Sequence, residues 1–231
     1  SLGDVILSTA SLRSLRERFP QHKISCLVGE ESKEALLGCP YIDELLVVDL
    51  KNKDKGLKGL LGIARSLRKK DFDLVVDLQN NRVSHLLSFL SLSLKRYGYD
   101  NNKFGFLLNH RIKDVNPIVD PITHQFRVLK MLGIDLRDNK LELWPSADDE
   151  QYIENLLNTE WLSAEQKIIG ININASKKWL TKCWPKVHIA KLCEELGLRN
   201  MRVVITGTAA DAPAANTLVS LVKNTKIINA C

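Results

Sequence analysis

Three polar segments stand where buried strands would end, and their side chains are of the kinds that move protons and hold sugars or phosphates. The first opens the chain, Ser1-Leu2-Gly3-Asp4 running into Val5-Ile6-Leu7. With a strand ahead of it, Gly3 would supply a tight turn and Asp4 would begin a helix. Asp4 then has two readings. One is an N-cap, a position where Asp is strongly favoured. The other is a carboxylate that takes a proton from an acceptor hydroxyl. No Gly-x-Gly-x-x-Gly is present here, so a dinucleotide fingerprint has no support.

The second segment is Asp77-Leu78-Gln79-Asn80-Asn81-Arg82-Val83-Ser84, crowded with polar groups just before a helix. Asn, Asp and Ser are the ordinary residues of turns and caps. Gln79 and Arg82 are not needed for a turn, and a sugar or phosphate contact accounts for them equally well. The third runs from Asn172 to Pro185 and contains Asn174-Ala175-Ser176-Lys177-Lys178 and Thr181-Lys182-Cys183-Trp184. Pro185 is placed for the first position of a helix. The N–H groups of a helix start bind phosphate, and Lys adds a point charge. A pyrophosphate held by Ser176, Thr181 and Lys182 is one reading; a solvated basic loop is the other. Trp184 reads as a core anchor rather than a base-stacking platform. The Gly-rich spacing of a Walker loop is missing.

Other chemistries have less support. The five histidines, His22, His85, His110, His124 and His188, show no ligand spacing, and the five scattered cysteines form no Cys-x-x-Cys pair. No metal site is expected. His124 starts a helix and is a candidate to face a cleft. No Gly-x-Ser-x-Gly elbow appears, which leaves a serine hydrolase without a nucleophile. An odd, scattered set of thiols fits a reducing cytoplasm.

The elements that must position these residues alternate. Leu12, Leu15 and Phe19 have helical spacing, closed by Pro20. Strands are expected over 24–28, 44–48, 74–78, 95–99, 167–173, 202–206 and 226–229. Helices are expected over 31–37, 57–69, 82–92, 122–133, 148–158 and 211–222, and another started by Pro185 with Ile189, Leu192, Cys193 and Leu196 at helical spacing. Residues 100–119 read as a polar, irregular loop, and 139–146 as a linker. Ile153, Leu156 and Leu157 are expected to face inward on the 148–158 helix. This alternation predicts parallel sheets with helices on both faces. The fold class is α/β, with two Rossmann-like domains facing a cleft, residues 1–140 and 146–231. Ligands of such sheets bind beyond the carboxyl ends of the strands, which is where the three segments fall. The start reads as a strand–turn–helix unit without its strand, and the end as a strand stopped at its tip. A chain truncated at both ends is therefore expected.

Of the 231 residues, 45% are hydrophobic and 26% charged, an ordinary globular balance. No apolar run reaches the roughly 20 residues of a membrane span, and no signal peptide is apparent. The formal net charge is +6. A positive surface suits phosphates or an anionic membrane. A nucleic-acid partner is not expected, because no recognisable module or interleaved aromatics accompany the charge.

Taken together, the segments resemble the heptosyltransferases, the bacterial family that uses ADP-heptose to build the lipopolysaccharide inner core. Ser1 to Ile6 looks like that family's Ser-Leu-Gly-Asp-Val-Ile opening. Asp73 to Gln79, with Arg82 and Ser84 beyond, is similar to its Asp-Leu-Val-Ile-Asp-Leu-Gln segment. Lys95 to Tyr99 looks like its Arg-Ile-Gly-Phe, and His124 to Gly133 like the helix ending in Leu-Gly. Ile173 to Ser176 and Lys182 to Pro185 resemble Pro-Gly-Ala-Ser and Lys-x-Trp-Pro. Gly207 and Asp211 fit Gly-x-x-x-Asp. Departures are Ile173 for Pro and Asn174 for Gly, and the later donor segment Asp-x-Gly-Pro-x-His does not occur before Cys231.

The resemblance implies a GT-B glycosyltransferase with an inverting mechanism. Asp4 would be the catalytic base and Lys182 would stabilise the leaving group. Ser176, Thr181 and Lys182 would bind the donor; Gly3, Gln79, Arg82 and His124 the acceptor. It implies no cofactor, ADP-heptose as donor, and an anionic glycolipid acceptor. The location would be cytoplasmic, with peripheral contact at the inner membrane. The alternatives are a sugar-nucleotide epimerase on the same fold and a nucleotide-sugar binding protein without turnover.

Overall fold

The computed structural model describes residues 1–114, 119–159, 167–175 and 181–231. They fall into two compact units, Ser1–Ser146 and Ala147–Cys231. The first unit opens with helices α1 (Leu2–Leu7) and α2 (Thr9–Arg18). Strand β1 (Ser25–Gly29), a 3-10 segment Glu30–Leu36 and strand β2 (Glu44–Val48) follow. Then come α3 (Gly56–Arg68), β3 (Leu74–Val76), α4 (Arg82–Leu90), β4 (Lys95–Asp100), β5 (His110–Lys113) and α5 (Pro121–Leu129). β1 and β2 pair in parallel, and β3, β4 and β5 form a second parallel ladder in that order.

The helices bury the faces their periodicity marks. Ala10, Leu15, Ile122, Phe126 and Leu129 join one core between α2 and α5, while Val48, Ile63, Leu67 and Leu87 join another under α3 and α4. Each large side chain buried this way contributes ~1.5–3 kcal/mol. α5 starts sharply because Asp120 caps it, accepting from the Ile122 and Thr123 N–H groups at 3.0 Å each, with Pro121 in the first turn. It closes through a 3-10 turn onto Gly133, whose φ of 74° suits a residue without Cβ.

Two expectations for this unit change. Residues 100–119 are not irregular throughout, because His110–Lys113 pairs with β4 and Gly105–Leu107 forms a 3-10 turn. β5 is an edge strand with three of its four side chains exposed, so it carries no apolar run to announce it. The unit also runs on to Ser146. Glu142 ion-pairs with Arg13 and accepts from the Tyr41 hydroxyl at 2.7 Å, and Trp144 stands edge-on to Tyr41 at 5.7 Å. These contacts dock the expected linker onto α2 and its neighbours.

The second unit comprises α6 (Ala147–Thr159), β6 (Ile168–Asn172), α7 (Lys186–Leu198), β7 (Arg202–Thr206), α8 (Ala212–Leu221) and β8 (Ile227–Ala230). The strands lie in the order β6–β7–β8, all parallel, as βαβ connections require. Ile173, Ile189, Cys193, Val203, Ile205, Ala215 and Leu218 form the core. Ile153 on α6 is exposed rather than inward, with Leu156 and Leu157 partly buried. A three-residue apolar stripe covers little more than one turn and cannot bury a whole helix face. The chain is thus α/β with parallel sheets in each unit.

Candidate active site

In the first unit the carboxyl ends of β3, β4 and β5 carry a connected set of polar side chains. Beyond β3, Asp77 is buried, and its Oδ1 accepts from the N–H groups of Gln79 (2.9 Å) and Asn80 (3.0 Å). This turn places Asn80 at φ 55° and leaves Gln79 and Arg82 exposed. Asn81 caps α4, accepting from Val83 and Ser84 N–H at 2.9 and 3.0 Å, which fixes Arg82 at the first helical position. Beyond β4, the Asn101 side-chain amide donates to the Asn80 side chain. Beyond β5, Asp114 accepts from Asn80 Nδ2 at 3.3 Å through one oxygen and meets His124 Nε2 at 3.0 Å through the other.

His124 is therefore tied to the Gln79–Arg82 turn through Asp114 and Asn80. Its ring also stacks on Tyr99, centroids 4.0 Å apart at 14°. The Tyr99 hydroxyl donates to the His124 carbonyl at 2.6 Å, and burial pushes that phenol up to about 12. Arg82 lies over the Phe104 ring at 5.8 Å. The structure thus brings three residues singled out in the sequence, Gln79, Arg82 and His124, to one sheet edge. Asn101, Asp114, Tyr99 and Phe104 join them; all lie on or beside the segment read as irregular, and Asp114 had no motif to mark it.

Asp77 faces a second buried group. His85 Nε2 is 3.6 Å from Asp77 Oδ2, with the side chains 0% and 2% exposed. Burial pushes the Asp77 carboxyl upward, against the lowering effect of the Asn80 N–H.

Asp4 stands elsewhere, on α1, which packs against α5 and the Glu30–Leu36 segment. It is not the N-cap. Ser1 holds that position, and Asp4 is the third helical residue of a capping box, accepting from the Ser1 hydroxyl at 2.9 Å and the Ser1 nitrogen at 3.0 Å. The side chain is 62% exposed and open to an approaching hydroxyl. Gly3 lies inside α1, and its φ is not positive, so it makes no turn there. The helix starts at Leu2, two residues before the expected Asp4, with Ser1 and Asp4 bonded across its first turn.

In the second unit the carboxyl ends of β6 and β7 converge. Asn174 Nδ2 donates to Asp211 Oδ1 at 2.8 Å, and Asp211 Oδ2 accepts from the Thr208 N–H and hydroxyl, both at 2.8 Å. The Thr208 N–H, then the Asn174 amide, hold the Asp211 carboxyl low. Gly207 permits this turn: a Cβ there would meet Cys231 Sγ at 2.9 Å and Asp211 at 3.0 Å. Thr181 and Lys182 are exposed just before α7, while Ser176 lies outside the described residues. Pro185 is the N-cap of α7 rather than its first helical residue. Trp184 is not a core anchor. It is half exposed and stacks on His188 at 6.0 Å and 20°, because α7 turns Ile189, Ala190 and Cys193 to the core instead. Among the described residues, no three His, Cys, Asp or Glu side chains converge on a cation position.

Residues 60–231 match the family described as glycosyltransferase family 9 (heptosyltransferase). The chain is 25% identical over 226 residues to lipopolysaccharide heptosyltransferase 2 of Salmonella typhimurium, covering 95% of this chain and 64% of that protein. It thus spans less than two thirds of the relative's length. Among solved structures it superimposes on a glycosyl transferase family 9 protein of Veillonella parvula with TM-score 0.89 and 25% identity, over 100% of this chain and 67% of that one. The ADP-heptose lps heptosyltransferase II of E. coli shares the fold at TM-score 0.70 and 22% identity, over 99% and 69% of the two chains.

Proposed function

The chain belongs to glycosyltransferase family 9, the heptosyltransferases, and on that premise we propose that it transfers a heptose from ADP-heptose to the inner core of lipopolysaccharide with inversion. The family match from residue 60 to residue 231 carries the reading, since it takes in the polar edges of both units. The similarity to a lipopolysaccharide heptosyltransferase along 95% of the chain supports it.

In this reading the two units are the acceptor-side and donor-side domains of a GT-B enzyme. The exposed carboxylate of Asp4 takes the proton of an acceptor hydroxyl as that oxygen attacks the anomeric carbon. The carbon–oxygen bond to the diphosphate breaks, and ADP departs with the bonding electrons. Stabilising the charge on the departing diphosphate is the larger electrostatic task. Lys182 and Thr181, together with Ser176 and the first N–H groups of α7, are suited to it. Proline at the N-cap offers no side-chain oxygen to those N–H groups, and the start of a helix suits a phosphate. Gln79, Arg82 and His124 present amide, guanidinium and imidazole donors to an anionic sugar acceptor. No cofactor is needed for this chemistry.

Peripheral contact with an anionic membrane at the cytoplasmic face extends the proposal. Among the described residues no helix is long and apolar enough to cross a membrane. Helix α3, however, exposes Leu57 and Leu61, 73% and 43%, beside Lys55 and Lys58. Apolar side chains ringed by lysine suit the surface of a bilayer bearing negative headgroups. The decisive experiment incubates the protein with ADP-heptose and a heptose-free inner-core acceptor. Release of ADP matched by an acceptor heavier by one heptose is expected. ADP release without acceptor gain would refute transfer.

A further inference from the structure

Asp77 and His85 form a buried ionisable pair that the transfer mechanism does not use. Asp77 Oδ2 and His85 Nε2 face each other at 3.6 Å, and neither has a hydrogen-bond partner among the described residues. The remaining polar atoms of both side chains are committed. Asp77 Oδ1 accepts the Gln79 and Asn80 N–H groups, and His85 Nδ1 lies 2.7 Å from the Lys103 carbonyl oxygen. A carbonyl oxygen only accepts, so Nδ1 bears a hydrogen. With His85 neutral, Nε2 is then a bare lone pair. An ionised Asp77 opposite it would set two lone pairs face to face in a buried site, an arrangement that burial penalises heavily. One proton on that edge converts the repulsion into an attraction across the 3.6 Å gap. It can sit on Asp77 as a carboxylic acid facing Nε2, or on His85 as an imidazolium facing the carboxylate.

We propose that Asp77 and His85 share a single buried proton and act as a positioning pair, clamping the Gln79–Arg82 turn to the 101–107 segment and so setting the acceptor side of the site. Asp77 holds the turn through two backbone amides. His85 holds the neighbouring segment through Lys103, next to Phe104, the ring under Arg82. The two joined segments each contain a non-glycine residue in the left-handed region, Asn80 at φ 55° and Phe104 at φ 71°. Such backbone persists only where the surroundings over-determine it, and it gathers at functional sites. The positioning role rests on the acceptor reading of Gln79 and Arg82; the shared proton does not.

The two parts have separate tests. Nitrogen-15 NMR of the histidine rings reports the proton directly. His85 should show a protonated Nδ1, as the Lys103 carbonyl requires, and an Nε2 that shares or carries a proton rather than a free lone pair. A bare Nδ1, or an Nε2 with the chemical shift of a free lone pair, overturns the shared proton. For positioning, Asp77→Asn keeps every bond: its oxygen accepts both turn amides and its N–H donates to Nε2. Asp77→Leu keeps none. The Asn variant should retain the KM for acceptor, and the Leu variant should raise it about tenfold, the loss of one or two hydrogen bonds, with the KM for ADP-heptose unchanged. His85→Phe makes the same comparison should Asp77→Leu fail to fold. Equal behaviour of Asn and Leu, or a joint rise in both KM values, overturns the positioning role. If the unaltered protein transfers nothing, the acceptor reading fails while the NMR result still stands.

Discussion

His124 Nε2 lies 3.0 Å from Asp114 Oδ1, and the other oxygen of the same carboxylate accepts from Asn80 Nδ2 at 3.3 Å. One carboxylate beyond β5 therefore orients two groups from different elements, the histidine of α5 and the turn after β3. Asp114→Ala should release both while leaving the core intact, since the carboxylate is part-exposed. We expect the KM for acceptor to rise about three- to tenfold, the value of one or two hydrogen bonds, with little change in melting temperature. Steady-state kinetics with each substrate varied checks this; an unchanged KM for acceptor would remove His124 and Asp114 from the site.

Asp4→Asn separates the cap from the base. Asn keeps a side-chain oxygen that can accept from the Ser1 hydroxyl at this third helical position, so the fold should survive. Transfer should fall about 10²- to 10⁴-fold if the carboxylate is the base.

Lys182→Ala tests the donor side. Removing a point charge from the departing diphosphate should lower kcat and raise the KM for ADP-heptose, with the KM for acceptor unchanged. A combined loss in kcat/KM of about 10²-fold or more is expected for a charge-assisted contact that strengthens in the transition state. Calorimetry with ADP alone should show weakened binding in parallel.

Gly105→Ala tests the loop that returns the chain to β5. A Cβ at residue 105 would stand 2.7 Å from the Tyr99 carbonyl oxygen and 2.8 Å from Asp100 Cα, both backbone atoms of β4 that cannot step aside. Thermal unfolding should show a loss of about 1–3 kcal/mol. The KM for acceptor should rise as well, because the displaced segment carries Asn101 and Phe104.

Leu57→Ser with Leu61→Ser tests the membrane face. Co-sedimentation with vesicles rich in phosphatidylglycerol should drop, and the unaltered protein should bind neutral phosphatidylcholine vesicles far less. Transfer to a water-soluble truncated acceptor should be unaffected, since α3 carries none of the proposed site residues. Equal binding of the variant and the unaltered protein would discard this face.

The sequence by itself determined the alternation of strands and helices. Its signals are local: Leu12 and Leu15 repeat at helical spacing, Leu74-Val75-Val76 is a short apolar run, and Gly133 closes a helix. It also marked the residues at strand ends, because Gln79 and Arg82 exceed what a turn needs. Tertiary structure decided what had no local signature. β5 exists only through its ladder with β4, since its exposed side chains carry no apolar period. Asp114 joined His124 to Asn80 because three separate segments end at one sheet edge, a relation over 10 and 34 residues of sequence that no spacing encodes. Trp184 turned outward because the core face of α7 was filled by smaller residues at its own helical period. Asp77 and His85, eight residues apart, met in the buried interior, 3.6 Å from each other. Local periodicity sets which residues form an element, while burial and hydrogen-bond satisfaction set which of them meet.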